Sequence, residues 1–115
     1  MMTFDDGIYS VYMAGADGLS FAVLMFRDNI IAGADGGGGI YDGNYSIQDG
    51  QLTGQIKFTL PIGGASITGA SASGEPLIFD VPIQLPVSFD PEEFFRIETP
   101  VGPVNAKFEK IRGFE

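Results

Sequence analysis

One stretch near the middle of the chain constrains the fold more than any other. In Gln51 to Leu60, the residues Leu52, Gly54, Ile56, Phe58 and Leu60 fall on one side of an extended backbone. Gln51, Thr53, Gln55, Lys57 and Thr59 fall on the other. A period of two with one oily and one wet face specifies a strand of an antiparallel sheet laid over a core. Gln48-Asp49-Gly50 stands just before it, and Asp-Gly is a strong hairpin signal. The preceding run, Ile40 to Ile47, is therefore its expected partner.

The same reading extends along the rest of the chain. Gly7 to Ala14 predicts a first strand, apolar on both faces, turned by Ala16-Asp17-Gly18 into a second from Leu19 to about Phe26. Arg27-Asp28-Asn29 turns into a third from Ile30 to about Asp35, followed by the glycine run Gly36 to Gly39. Pro61 to Gly74 is small and polar, and reads as a loose edge strand or a mobile loop. From Pro76 to about Val87 the alternation returns, with Leu77, Phe79, Val81, Ile83, Leu85 and Val87 facing inward. Pro82 and Pro86 cannot donate ladder hydrogen bonds, so this strand belongs at an edge or carries a bulge. Asp90-Pro91-Glu92-Glu93 has the form of a single helical turn. Strands at about Phe94 to Thr99 and Val104 to Ile111 finish the chain. Period-3.6 patterning is missing throughout. About eight short strands joined by turns predict an all-β, antiparallel, up-and-down barrel whose closure removes free edges.

Size and composition narrow the function. At 115 residues the chain is expected to be a single domain over 1–115. It has 15 acidic and 6 basic residues, a formal net charge of -9. Phosphate backbones and anionic lipids repel such a surface, so neither direct nucleic-acid nor membrane binding is expected. No positive, apolar leader opens the chain, and cysteine is absent, which together suggest a cytoplasmic protein.

Histidine is absent too. That removes the usual general base, the usual zinc ligand and any Ser-His pair. No metal, cofactor or catalytic residue is expected. Asp17, Asp28, Asp49 and Asp90 sit where turns favour aspartate. The Asp35-Gly36-Gly37-Gly38-Gly39 run offers N–H groups that could face an anion, but the lysine and helix start of a phosphate loop do not follow. It reads as a flexible loop or a close approach of backbones. Asp80, Arg96 and Glu98 read as wall charges facing water. Tyr41 and Tyr45 share a face, either as orienting hydroxyls in a pocket or as core rings whose hydroxyls reach a rim.

Three segments in the first half carry a resemblance: Asp6-Gly7-Ile8-Tyr9-Ser10-Val11, then Ile30-Ile31-Ala32-Gly33-Ala34-Asp35, then Tyr41-Asp42-Gly43-Asn44-Tyr45. Over roughly residues 5 to 60 the chain resembles the GrlR-like family, negative regulators of type III secretion. Gly33-Ala34-Asp35 stands where the family has Gly-Gly-Asp, and residues 61 to 115 match in general strand pattern. The resemblance implies a lipocalin-like (calycin-like) eight-stranded barrel, often dimeric, with an apolar interior. It also implies a regulator that sequesters a transcriptional activator by protein contact. The family's acidic run after the fourth strand is represented here by Asp49 alone, which makes Asp49 the candidate partner-binding residue.

Two non-enzymatic roles are therefore expected. One is a regulatory barrel acting on a protein partner, a basic transcriptional activator, with a homodimer covering the outer face of the first strand. The other is a carrier or sensor of a small apolar ligand held inside the barrel. Candidate pocket residues are Tyr9, Val11, Phe21 and Val23 on the first two strands, where both faces are apolar and alternation does not fix the inward one, and Tyr45, Ile56, Phe58 and Phe79 further on. An enzyme working through paired carboxylates is the third class, and it requires two acids converging in one cleft.

Overall fold

The computed structural model describes residues 2–64 and 68–115. The described residues contain strands and turns but no helix, and so no helix long and apolar enough to cross a membrane. The strands are β1 (Met2–Thr3), β2 (Gly7–Gly15), β3 (Gly18–Arg27), β4 (Ile30–Asp35), β5 (Ile40–Gln48) and β6 (Gln51–Leu60). They continue with β7 (Leu77–Pro86), β8 (Ser88–Phe89), β9 (Phe95–Ile97) and β10 (Val104–Arg112).

Eight of them form one antiparallel sheet in the order β7-β6-β5-β4-β3-β2-β10-β9, curled nearly into a barrel. The order is a meander in which β10 returns to pair with β2. Its hairpins divide between two ends. At one end lie the β2–β3 turn, the glycine loop 36–39, the β6–β7 connection and the β9–β10 turn. At the other lie Asp28-Asn29, Asp49-Gly50 and the N-terminal segment.

Local chemistry fixes these turns. Asp28 and Asn29 both have positive φ, at 51° and 66°, and Asp49 and Gly50 at 52° and 76°. Those are the angles of two-residue type I′ hairpins, whose twist matches that of the flanking strands. The single helical turn expected at Asp90–Glu93 is a tight turn instead. The Asp90 carboxylate accepts the Glu92 N–H at 2.9 Å and the Asp90 carbonyl accepts that of Glu93 at 2.9 Å.

Closure differs from the expectation of a wall without edges. β7 and β9, the ends of the sheet, share no ladder among the described residues, which leaves a seam. Pro82 and Pro86 on β7 explain one side of it, since neither can donate to a further strand. Below the seam, β8 pairs with β1 as a separate two-stranded ribbon, Met2 opposite Phe89 and Thr3 opposite Ser88. The Phe4 N–H donates to the Val87 carbonyl at 2.8 Å, which turns the N-terminus under the barrel.

This strap supplies the interior with its plug. Phe4 is buried and stacks on Phe89 at 4.5 Å between ring centroids, edge-on to Phe108 at 5.3 Å. Tyr9 and Phe26 complete the aromatic cluster, at 5.3 and 5.6 Å from Phe4. At the opposite end, Gly63 and Gly64 exchange backbone hydrogen bonds with Ala72, and Ala72 packs over Phe58 and Leu60. The small-residue connection thus folds back over the rim, its residues 65–67 lying outside the described residues.

Candidate functional site: the barrel interior

The inward face of each strand determines what the interior presents. On β6 and β7 it is the face read from the alternation: Ile56, Phe58, Val81, Ile83 and Leu85 are buried. Tyr9 and Val11 on β2 point inward as expected, at 0% and 2% exposure. Phe21 and Val23 do not, and this is a correction. They are 43% and 40% exposed, while Ala22, Leu24 and Phe26 are buried instead. The cause is register. The turn between Gly15 and Gly18 sets Val11 opposite Ala22 and Tyr9 opposite Leu24. Facing partners point to the same side, so the inward face of β2 selects the even-numbered residues of β3.

A cavity of about 120 Å³ lies inside the barrel. Four expected pocket residues line it: Val11, Ile56, Phe58 and Phe79. Leu24, Phe26 and Phe108 add further apolar wall. Val81 and Ile83 on β7, with Ile97 on β9, bring both sides of the seam into the lining. Tyr9 and Tyr45 are buried, but they belong to the plug and not to the cavity wall.

The N-terminal segment explains why. The Tyr9 hydroxyl donates to the Asp5 carbonyl at 2.7 Å and accepts the Asp5 N–H at 3.0 Å. The Tyr45 hydroxyl donates to the Asp6 carboxylate at 2.9 Å. Both hydroxyls are satisfied at the rim, so these tyrosines hold down the strap. Burial pushes the Tyr9 phenol up to about 12, with the neighbouring Asp5 charge adding to it and a backbone hydrogen bond opposing. Burial and the Asp6 hydrogen bond likewise take Tyr45 to about 12. Both are neutral donors at neutral pH.

The polar part of the cavity lies at the glycine-loop end, where Ser20, Asp35, Tyr41, Thr68 and Thr99 contribute. Asp35 is its centre. One carboxylate oxygen accepts the N–H groups of Gly37 at 3.0 Å and Gly39 at 2.8 Å; the other accepts the Tyr41 hydroxyl at 2.8 Å. The glycine run is therefore a compact turn wrapped around its own carboxylate, and the anion its N–H groups face is Asp35. Glycine is required at position 39, where a Cβ would collide with the Phe58 ring and the Asp35 carboxylate. Burial, and then the Asp35 charge, push the Tyr41 phenol far above its ordinary value.

Asp35 and Tyr41 are among the lining residues missing from the sequence-based pocket, as are Leu24, Phe26, Val81, Ile83 and Phe108. A signal for Asp35 and Tyr41 was present. Ile31, Gly33 and Asp35 alternate onto the inner face of β4, and Tyr41 shares the inner face of β5 with Tyr45.

The remaining candidates lie outside. Asp49 is exposed at the tip of the β5–β6 hairpin, where its positive φ is the requirement of the turn. Asp80 is exposed, and Arg96 and Glu98 form an exposed ion pair at 2.6 Å, a kind worth about 0–1 kcal/mol. Tyr12 and Phe21 meet on the outer wall at 5.0 Å, with the Lys107 ammonium 5.6 Å above the Tyr12 ring. Among the described residues, no group of three or more acidic side chains is placed to hold a metal ion. No protein-family model and no curated protein matches the chain.

Proposed function

We propose that this chain works by binding, and that its interior holds a small apolar ligand. The observation that carries this reading is the cavity between Val11, Ile56, Phe58, Phe79 and Phe108, about 120 Å³ with most of its wall apolar. An apolar void of roughly 150 Å³ stays dry and takes up benzene or xenon. Open space inside an otherwise close-packed core also costs stability, and a ligand restores the missing contacts. The seam between β7 and β9 borders the cavity, because residues of both strands line it. Catalysis by paired carboxylates is disfavoured, since the cavity wall carries one carboxylate and its oxygens already hold three hydrogen bonds.

Benzene serves as the probe. Saturating benzene is expected to raise the melting temperature of the chain, because a ligand bound only by the folded state stabilises it by mass action, about 2.7 kcal/mol at a hundred times Kd. Val81→Phe fills the cavity and is expected to abolish that rise. An unchanged melting temperature in the wild-type chain would remove the ligand reading.

A second reading is favoured by the outer wall. Tyr12, Phe21 and Val23 are exposed there, and Ala34 and Ile40 extend the row from Val23 across β4 and β5. Such a surface suits a protein contact, either a second copy or the activator expected of a cytoplasmic GrlR-like regulator. Sedimentation of a dimer that Phe21→Asp converts to a monomer supports this reading. A monomer at high concentration would end its homodimer form.

A further inference from the structure

The polar wall of the cavity determines which head group a ligand can carry, an inference that rests on interior ligand binding. Among the described residues, the polar side chains of the cavity lie at the glycine-loop end, so an elongated ligand would place its head there and its tail toward the Phe4–Phe89 plug. The head would meet Asp35 and Tyr41. What these two offer depends on where their hydrogens are already spent.

The Tyr41 hydroxyl has one hydrogen, and Asp35 accepts it at 2.8 Å. A phenol held far above its ordinary pKa by burial keeps that hydrogen. The Asp35 oxygen not facing Tyr41 already accepts two glycine N–H groups. What remains are acceptor lone pairs, on the Tyr41 hydroxyl oxygen and on the Asp35 oxygen it faces. Thr99 adds no donor: its hydroxyl gives its hydrogen to the Gly102 carbonyl. Ser20 and Thr68 contribute neutral hydroxyls, and that of Thr68 accepts the Ala70 N–H at 3.5 Å. The lining includes no lysine or arginine, and the sequence has no histidine.

Such a site is complementary to a donor and opposed to an anion. A carboxylate head would bring a second negative charge beside the half-buried Asp35, with no lysine or arginine in the lining to pair it. An alcohol or ammonium head would donate to the lone pairs that are left. We propose that the interior selects slender apolar molecules with a hydrogen-bond-donating head, primary alcohols or amines, and discriminates against fatty carboxylates.

The test is calorimetric titration of the wild-type chain at neutral pH with four probes of equal tail: octane, octanol, octylamine and octanoate. Octanol and octylamine are expected to bind at least tenfold more tightly than octanoate. Octylamine exceeding octanol identifies a cationic ligand; octanol equal to or above octylamine identifies a neutral one. Asp35→Asn keeps the side chain's shape and removes its charge, and is expected to narrow the gap between octylamine and octanoate at least tenfold. A melting curve confirms that this variant is folded. Octane, octanol and octanoate binding alike would overturn the head-group inference and leave interior binding standing. No binding by any of the four would overturn both.

Discussion

Gly43→Ala is expected to cost about 3 kcal/mol or more of folding stability, beyond the usual range for an added methyl group in a core. Gly43 lies on the inner face of β5, between Ile31 of β4 and Ile56 of β6. A Cβ built there would overlap the Gln55 carbonyl oxygen and stand 2.9 Å from the Ile56 Cα. Those atoms are backbone of the neighbouring strand, so no rotamer change relieves the contact.

Two more inward glycines repeat the pattern. A Cβ at Gly33 would overlap the Val23 carbonyl oxygen, and one at Gly54 the Asn44 carbonyl oxygen. Gly33, Gly43 and Gly54 step diagonally across β4, β5 and β6. Along that diagonal the sheet bends sharply enough to bring neighbouring backbones together inside the curve, which is the work glycine does at barrel corners. Urea denaturation measures the cost. Gly36→Ala is the control, because a Cβ there meets nothing within 4 Å; a change below about 0.5 kcal/mol is expected of it. If Gly43→Ala unfolds at the same urea concentration as the wild type, the wall is not bent in this way. Gly33→Ala combined with Gly43→Ala is expected to leave no folded chain, since single domains hold only about 5–15 kcal/mol.

Phe4→Ala is expected to cost about 3–5 kcal/mol, the range for removing a buried phenylalanine. Phe4 is 2% exposed although it lies close to the N-terminus and outside the main sheet. Its ring touches Tyr9, Phe26, Phe89 and Phe108, so its loss opens the floor of the barrel and takes away the anchor of the β1–β8 ribbon. Limited proteolysis is expected to show early cleavage near the N-terminus of the variant, alongside the lower urea midpoint. A loss below about 1 kcal/mol would mean that the strap is an ornament on a barrel closed by other means.

These two positions also mark where the sequence was legible and where it was not. Alternation located the strands well, and β4 and β6 begin and end where the pattern does. It also gave the inner faces of β6 and β7, because there one face is oily and the other polar. On β2 and β3 both faces are apolar, so composition held no preference between Phe21 and Ala22. The pairing across the Gly15–Gly18 turn decided it. Phe4 was hidden for another reason: a lone aromatic among polar neighbours shows no period, and its burial depends on Phe89 and Phe108, far along the chain. The seam was half visible in Pro82 and Pro86. The Asp35–Tyr41 pair was visible residue by residue but not as a pair. The glycine loop that lets β4 and β5 face each other also brings the carboxylate under the hydroxyl, and that closure is a three-dimensional fact.

A barrel that binds within must be hollow, and diffraction from a crystal of the chain under xenon pressure tests this most directly. Xenon is expected to occupy the space bounded by Ile56, Phe58, Phe79 and Phe108, with little movement of the surrounding side chains. An interior filled by those rings and free of xenon would contradict a ligand site inside the wall.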